Sequence, residues 1–130
     1  MNRQPNASFA LSVLVVLLLA SCTTFYRSVV SITSIVDGAA KQYASLYNRG
    51  LIPPDVAAKV SVAFKNYQTD AKVAHDALVA YKASGNDTTY KQAFAAVYAS
   101  ATGFIEIVIQ FFAPQDSIAL QTQLKKANAL

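Results

Sequence analysis

The sequence predicts an all-α fold: an up-and-down bundle of three long helices and one short C-terminal helix, following a cleaved signal peptide. Three observations lead to this prediction. Apolar side chains recur at three- and four-residue steps over long segments, turn-forming residues separate these segments, and the alternation typical of a strand persists nowhere. The chain has 130 residues, a length typical of a single domain.

The first predicted helix runs from Phe25 to about Asn48. Its apolar residues recur at helical spacing, and Gly50 follows its end, where a left-handed C-cap is expected. These apolar residues are Val29, Ile32, Val36, Ala39, Ala40, Tyr43, Leu46 and Tyr47.

The second predicted helix begins after Pro53-Pro54-Asp55 and continues to about Ala83, before Gly85. Proline is tolerated in the first turn of a helix, and an acidic residue there complements the helix dipole. One seam of apolar residues follows a period close to 3.5, as in helical bundles. Its members are Val56, Val60, Ala63, Tyr67, Ala71, Ala74, Leu78 and Tyr81.

The third predicted helix opens at the capping residues Asn86-Asp87-Thr88 and continues to Phe112, where Pro114 stops it. A shorter fourth helix follows from about Asp116 to Asn128. The apolar segment 93–113 is long enough to span a membrane, although a carboxylate at Glu106 would be expensive in hydrocarbon. Two interpretations remain open: a central core helix buried nearly all round, or a membrane helix.

The first twenty-one residues resemble a targeting segment rather than part of the fold. Phe9 to Ala20 is an apolar run interrupted only by Ser12. A spanning helix needs about 20 apolar residues to cross ~30 Å of hydrocarbon. This run is shorter, as is typical of the core of a signal peptide.

Leu19-Ala20-Ser21-Cys22 follows: a branched apolar residue, two small residues and a cysteine. This junction resembles the lipobox of bacterial lipoproteins. The resemblance implies that Leu19, Ala20 and Ser21 are read by the signal peptidase and that the Cys22 thiol carries a diacylglycerol, with fatty acids such as palmitate. Cleavage before Cys22 would leave the chain anchored in the cell envelope, on the periplasmic face of the outer membrane if the cell has two membranes. The alternative is an ordinary secretory signal, or an uncleaved anchor, with an incidental cysteine.

The predicted organisation is therefore a signal peptide at 1–21, a lipidated cysteine with a very short tether at 22–24, and a helical domain at 25–130. Only Thr23 and Thr24 form the tether, which provides less than ~10 Å of extended chain. Phe25, Tyr26 and Arg27 are expected near the lipid headgroups, where aromatic and basic residues are common.

The sequence contains no recognisable catalytic machinery. Cys22 is the only cysteine and His75 the only histidine, so no cysteine-based metal site is expected. No nucleophile elbow, phosphate-binding glycine loop or paired-histidine zinc motif is present in the sequence. We therefore expect no enzymatic activity, no metal and no cofactor other than the covalent lipid on Cys22.

Charge and aromatic content bear on the partners. The basic residues that give the net charge of +4 are spread along the chain, which argues against nucleic acid and is compatible with anionic lipid. Seven tyrosines either straddle core and surface or form an aromatic groove. Two hypotheses for function remain: a non-enzymatic interaction module for an envelope protein, held close to the membrane, or a bundle that binds an apolar ligand or lipid.

Overall fold

The computed structural model describes residues 5–85 and 88–129, with the side chains of residues 27–85 and 88–128. Within these ranges the protein is helical, without a strand. The elements are α1 (Pro5–Asn48), α2 (Pro54–Ser84), α3 (Thr88–Val108), a 3₁₀ turn (Ile109–Phe111) and α4 (Pro114–Ala129). The prediction of an all-α chain with three long helices and one short C-terminal helix is confirmed, but α1 begins at Pro5 rather than at Phe25 and includes residues 22–24, which were expected to form a tether.

Helices α2 and α3 form an antiparallel hairpin with the most extensive interface of the fold. Two ring pairs fix its direction: Phe64 of α2 lies 5.4 Å from Phe104 of α3, and Tyr81 lies 6.4 Å from Tyr90, measured between ring centroids. The partner in α3 moves backward along the chain as α2 moves forward, which only antiparallel helices allow.

Helix α1 runs antiparallel to α4 as well as to α2. The Gln42 amide donates a hydrogen bond of 3.2 Å to the Asp116 carboxylate, at the start of α4. Further toward the beginning of α1, Ser34 borders a groove with Gln123, near the end of α4. The four helices therefore alternate in direction, which is consistent with the predicted up-and-down bundle.

The core is built from one face of each helix, as the apolar periodicity predicts. In α2 every member of the predicted seam is buried or half-buried, including Val60, Tyr67 and Leu78. Ile32 and Val36 of α1 are completely buried against it. Each large apolar side chain removed from water in this way contributes about 1.5–3 kcal/mol to folding.

Helix α3 differs from the prediction. Its buried residues form a single stripe: Tyr90, Ala93, Val97, Ala101, Phe104, Ile105 and Val108. Ala95, Ala96, Ala99 and Glu106 on the other side are exposed, so the expectation of a helix buried nearly all round is wrong. Among the described residues, Thr88–Phe111 is the one helical stretch with the length and composition to cross a membrane; its most apolar 18 residues have a mean hydropathy of 1.5, and 28% of them are buried. A core helix meets the same criterion, and the buried stripe packs in the core.

Two helix ends show how the turns are made. Gly50 has φ +73°, its N–H donates to the Tyr47 carbonyl at 3.0 Å, and the Leu51 N–H donates to the Leu46 carbonyl at 3.1 Å. This is a Schellman motif, which confirms the predicted C-cap. At the other junction α3 ends at Val108 rather than Phe112, and Pro114 is the first residue of α4.

Candidate functional site

A cavity of about 390 Å³ opens between α1 and α2, at the end of the bundle where α1 finishes and α2 begins. We call it the aromatic cavity. Its lining residues are Ala40, Tyr43, Tyr47, Ala57, Val60, Ser61, Phe64 and Phe104.

The local sequence explains why space remains at this position. Ala40, Tyr43 and Tyr47 follow one another at three- and four-residue steps, so they share a face of α1. Ala57 and Phe64 occupy the facing side of α2. The two alanines stop at Cβ, whereas the aromatic rings extend from both helices, and together they leave a hollow with aromatic walls.

The walls are held by ring contacts. Tyr43 and Tyr47 have centroids 6.2 Å apart, and Phe64 contacts both Phe104 at 5.4 Å and Tyr67 at 6.0 Å. Such tilted pairs contribute about 0.5–1.5 kcal/mol beyond the area they bury. Tyr47 is 55% exposed and therefore stands at the mouth of the cavity.

The chemistry of the aromatic cavity is apolar with a few hydroxyl groups. Burial raises the pKa of Tyr43, and the neighbouring Tyr47 raises it further, so the Tyr43 phenol stays protonated at neutral pH. None of the described residues that line the cavity is charged. Its volume falls in the usual range of small-molecule sites, roughly 300–1,000 Å³. The arrangement suits an apolar group with one or two hydrogen-bonding atoms.

Tyr67 anchors the inner side of this region. It is buried, and burial raises the pKa of its phenol. A hydrogen bond with Thr33 of α1 opposes that shift, and the Asp37 carboxylate adds to it. The bond between Thr33 and Tyr67 joins α1 to α2 next to Phe64.

A second aromatic cluster lies at the opposite end of the bundle. Tyr81, Tyr90 and Phe94 are in ring contact, with centroids 6.4 Å and 6.2 Å apart for successive pairs. Tyr90 is completely buried, and burial raises its pKa to about 12. The two interpretations of the tyrosines therefore apply to different residues: Tyr90 belongs to the core, whereas Tyr43 and Tyr47 line the aromatic cavity.

The sequence-predicted site residues lie away from the aromatic cavity. Leu19, Ala20, Ser21 and Cys22 fall within α1, as do Phe25 and Tyr26, and their side chains lie outside the described part of the structure. Arg27 is exposed. Along α1 the rise from Arg27 to Tyr47 is about 30 Å at 1.5 Å per residue. The predicted anchor and the cavity are therefore at opposite ends.

Ala40, Ala57 and Ser61 were not anticipated as site residues. A recognisable signal is nonetheless present: small residues at 40 and 57 flank a turn at Gly50, with aromatic residues at 43, 47 and 64 around them. Among the described residues no group of three His, Cys, Asp or Glu side chains is placed to hold a metal ion, and His75 is exposed.

Comparison with known proteins gives no relatives for this chain: no protein-family model, curated protein or solved structure matches it.

Proposed function

We propose that the protein is a small bacterial lipoprotein, anchored by an acylated Cys22, that acts as a non-enzymatic interaction module of the cell envelope. In a two-membrane cell it would face the periplasm from the outer membrane. The observation that carries the proposal is the relative position of two features on α1: the segment Leu19-Ala20-Ser21-Cys22, which resembles a lipobox, precedes the part of α1 that packs in the bundle, and the aromatic cavity lies near the end of the helix.

This arrangement supports a display role. From Cys22 to Tyr47 the helix rises about 38 Å at 1.5 Å per residue. A chain anchored at Cys22 could therefore place its aromatic cavity as far as this from the lipid, open to the envelope space. Exposed aromatic residues such as Tyr47 are enriched among residues that dominate binding energy at protein interfaces.

The anchor is tested by intact-mass analysis of the membrane fraction for the wild type and Cys22→Ala. We expect the wild type to lose residues 1–21 and gain a diacylglycerol mass on Cys22, whereas the variant stays unprocessed. An unmodified, full-length wild-type chain would refute the lipoprotein assignment.

The interaction is tested by placing a photo-cross-linking amino acid at Tyr47, with Ile118 as the control position. Ile118 is 63% exposed on α4 and does not line the cavity. We expect a discrete envelope-protein adduct at Tyr47 only, lost when Ala57→Leu fills the cavity and retained in Ala58→Leu. Equal adducts at both positions would indicate mere proximity and contradict the proposal.

A second function is favoured by the size of the cavity. A volume of about 390 Å³ with mostly apolar walls fits an apolar small molecule or one segment of a lipid chain. Native mass spectrometry of the purified protein would then show a co-purified ligand of defined mass, absent from Ala57→Leu and present in Ala58→Leu. A ligand-free wild type, with a protein adduct at Tyr47, would favour the interaction module.

A further inference from the structure

One end of the bundle carries an excess of positive charge. Because the helices alternate in direction, the beginnings of the bundle portions of α1 and α3 meet the ends of α2 and α4 there. Arg27 lies on α1, Lys82 in the last turn of α2, Lys91 near the start of α3, and Lys126 in the last turn of α4. With Lys125 they form what we call the basic end; all five side chains are exposed.

The charges are not distributed evenly between the two ends. Among the described residues, the half of the bundle with the basic end contains only two carboxylates, Asp70 and Asp76; Asp87 lies outside the described residues. The described part of the half that contains the aromatic cavity is balanced, with four cations and four carboxylates. These are Lys41, Arg49, Lys59, Lys65, Asp37, Asp55, Glu106 and Asp116.

Helix dipoles account for only part of this asymmetry. Lys82 and Lys126 lie in last turns, where a cation is favourable beside the negative end of the dipole. Lys91 lies near the start of α3, where the helix dipole does not favour a cation. Arg27 lies 21 residues before the end of α1, so the helix dipoles do not explain its position either. The resulting excess of cations would match a partner of opposite charge outside the chain.

The position of Cys22 indicates what the partner is. It lies five residues before Arg27 on the same helix, about 7.5 Å of rise. A bilayer anchoring Cys22 would therefore be the surface closest to the basic end. Bilayers that contain anionic lipids attract basic side chains near their surface, by about fivefold in affinity for each Lys or Arg, and this attraction fades within a Debye length of ~8 Å.

We propose that the basic end is a contact surface for anionic lipid headgroups, which holds the bundle upright on the membrane with the aromatic cavity pointing away. The proposal rests on the anchor at Cys22. Acylation alone fixes one point and leaves the bundle free to tilt, whereas cations on all four helices resist tilting in every direction.

The test uses the acylated protein in vesicles, with single cysteines introduced at Val79 or Val62 for a fluorescent label. Acylation consumes the Cys22 thiol, so only the introduced cysteine reacts. Both valines are exposed on α2, 56% and 60%, and are separated by about 26 Å of helix rise at 1.5 Å per residue, with Val79 nearer the basic end. A quencher attached to lipid headgroups then reports which label approaches the bilayer.

In vesicles of phosphatidylethanolamine and phosphatidylglycerol, we expect strong quenching at position 79 and little at position 62. The ratio of quenching at position 79 to quenching at position 62 should fall about tenfold in neutral phosphatidylcholine vesicles, in molar salt, and in Lys82→Glu/Lys125→Glu/Lys126→Glu. The matched control, Lys41→Glu/Lys59→Glu/Lys65→Glu, has the same net charge but should retain the wild-type ratio.

Equal quenching at the two positions, or the same loss in both triple variants, would overturn the proposal. Intact-mass measurement of each sample separates this result from failure of the anchor. A chain without the acyl group contradicts the proposed lipoprotein, whereas an acylated chain without the lipid-dependent ratio contradicts only the lipid-contact surface.

Discussion

Phe64 of α2 and Phe104 of α3 pack with ring centroids 5.4 Å apart and an interplanar angle of 50°. Phe104 is 1% exposed and belongs to the core, whereas Phe64 is half-buried, and both line the aromatic cavity. The pair therefore joins the two helices of the hairpin and forms the cavity floor. Changes at this pair should affect the stability of the fold as well as the site.

Phe104→Ala should lower the free energy of unfolding by about 3–5 kcal/mol, because it removes a buried ring and enlarges an existing hollow. Urea unfolding followed by circular dichroism measures the loss. Ile118→Ala on the exposed side of α4 should stay within about 0.5 kcal/mol of the wild type. If Phe104→Ala does not fold, Phe104→Leu provides a smaller loss of the same sign. Equal effects at positions 104 and 118 would contradict the assignment of Phe104 to the core.

Replacing glycine by alanine should change the free energy of unfolding in opposite directions at two positions. Gly50 has φ +73°, in the left-handed region, so Gly50→Ala should destabilise the protein by about 1–2 kcal/mol. Gly103 lies within α3, and a methyl group added there would meet no atom of another helix within 4 Å, so Gly103→Ala should stabilise the protein by about 0.5–1 kcal/mol. Thermal unfolding of the two variants checks the signs. Stabilisation by Gly50→Ala would rule out the Schellman motif at the end of α1.

Helix α2 could be predicted almost completely from the sequence, because Val60, Tyr67 and Leu78 are large apolar residues at a regular period among polar ones. Such contrast identifies a buried face before any partner helix is known. The cap at Gly50 was equally predictable, since few other residues adopt positive φ without strain.

Helix α3 and the aromatic cavity could not be predicted in the same way. Alanine is apolar enough to resemble a core residue, yet it can also be exposed at little cost, so Ala95, Ala96 and Ala99 gave no indication of which face packs. The cavity depends on how Ala40 and Ala57 face each other across two helices. The spacing between α1 and α2 at these two alanines depends on contacts elsewhere in the bundle, including the bond between Thr33 and Tyr67.

Tyr90 should make the fold sensitive to alkali. Burial raises its pKa to about 12 from 10.0, so the folded state holds the phenol proton more tightly than the unfolded state. Its contribution to stability is complete below pH 10 and is lost between pH 10 and about 12, at up to ~1.4 kcal/mol per pH unit. Urea unfolding of Tyr90→Phe should show a shallower decline over this window than the wild type, with Tyr47→Phe at an exposed position as the control. Identical slopes for all three proteins would exclude Tyr90 as the cause.

Filling the aromatic cavity should make the fold more stable and at the same time weaken the binding of an apolar ligand. Ala57 lines the cavity, whereas Ala58 is exposed and lies beside Lys59 in a separate, shallow groove between α2 and Ile107, so Leu at either position adds the same atoms to different surroundings. Each methylene buried without strain contributes about 0.8 kcal/mol. Ala57→Leu should therefore stabilise the fold by roughly 1–2 kcal/mol, whereas Ala58→Leu should change the stability by less than about 0.5 kcal/mol.

The neutral dye N-phenyl-1-naphthylamine, titrated into both proteins, should bind at least tenfold more weakly to Ala57→Leu than to Ala58→Leu. A binding site kept open at the expense of stability is expected to give this combination. Destabilisation by Ala57→Leu with unchanged dye binding would instead mean that the dye binds elsewhere and that the hollow cannot hold a ligand.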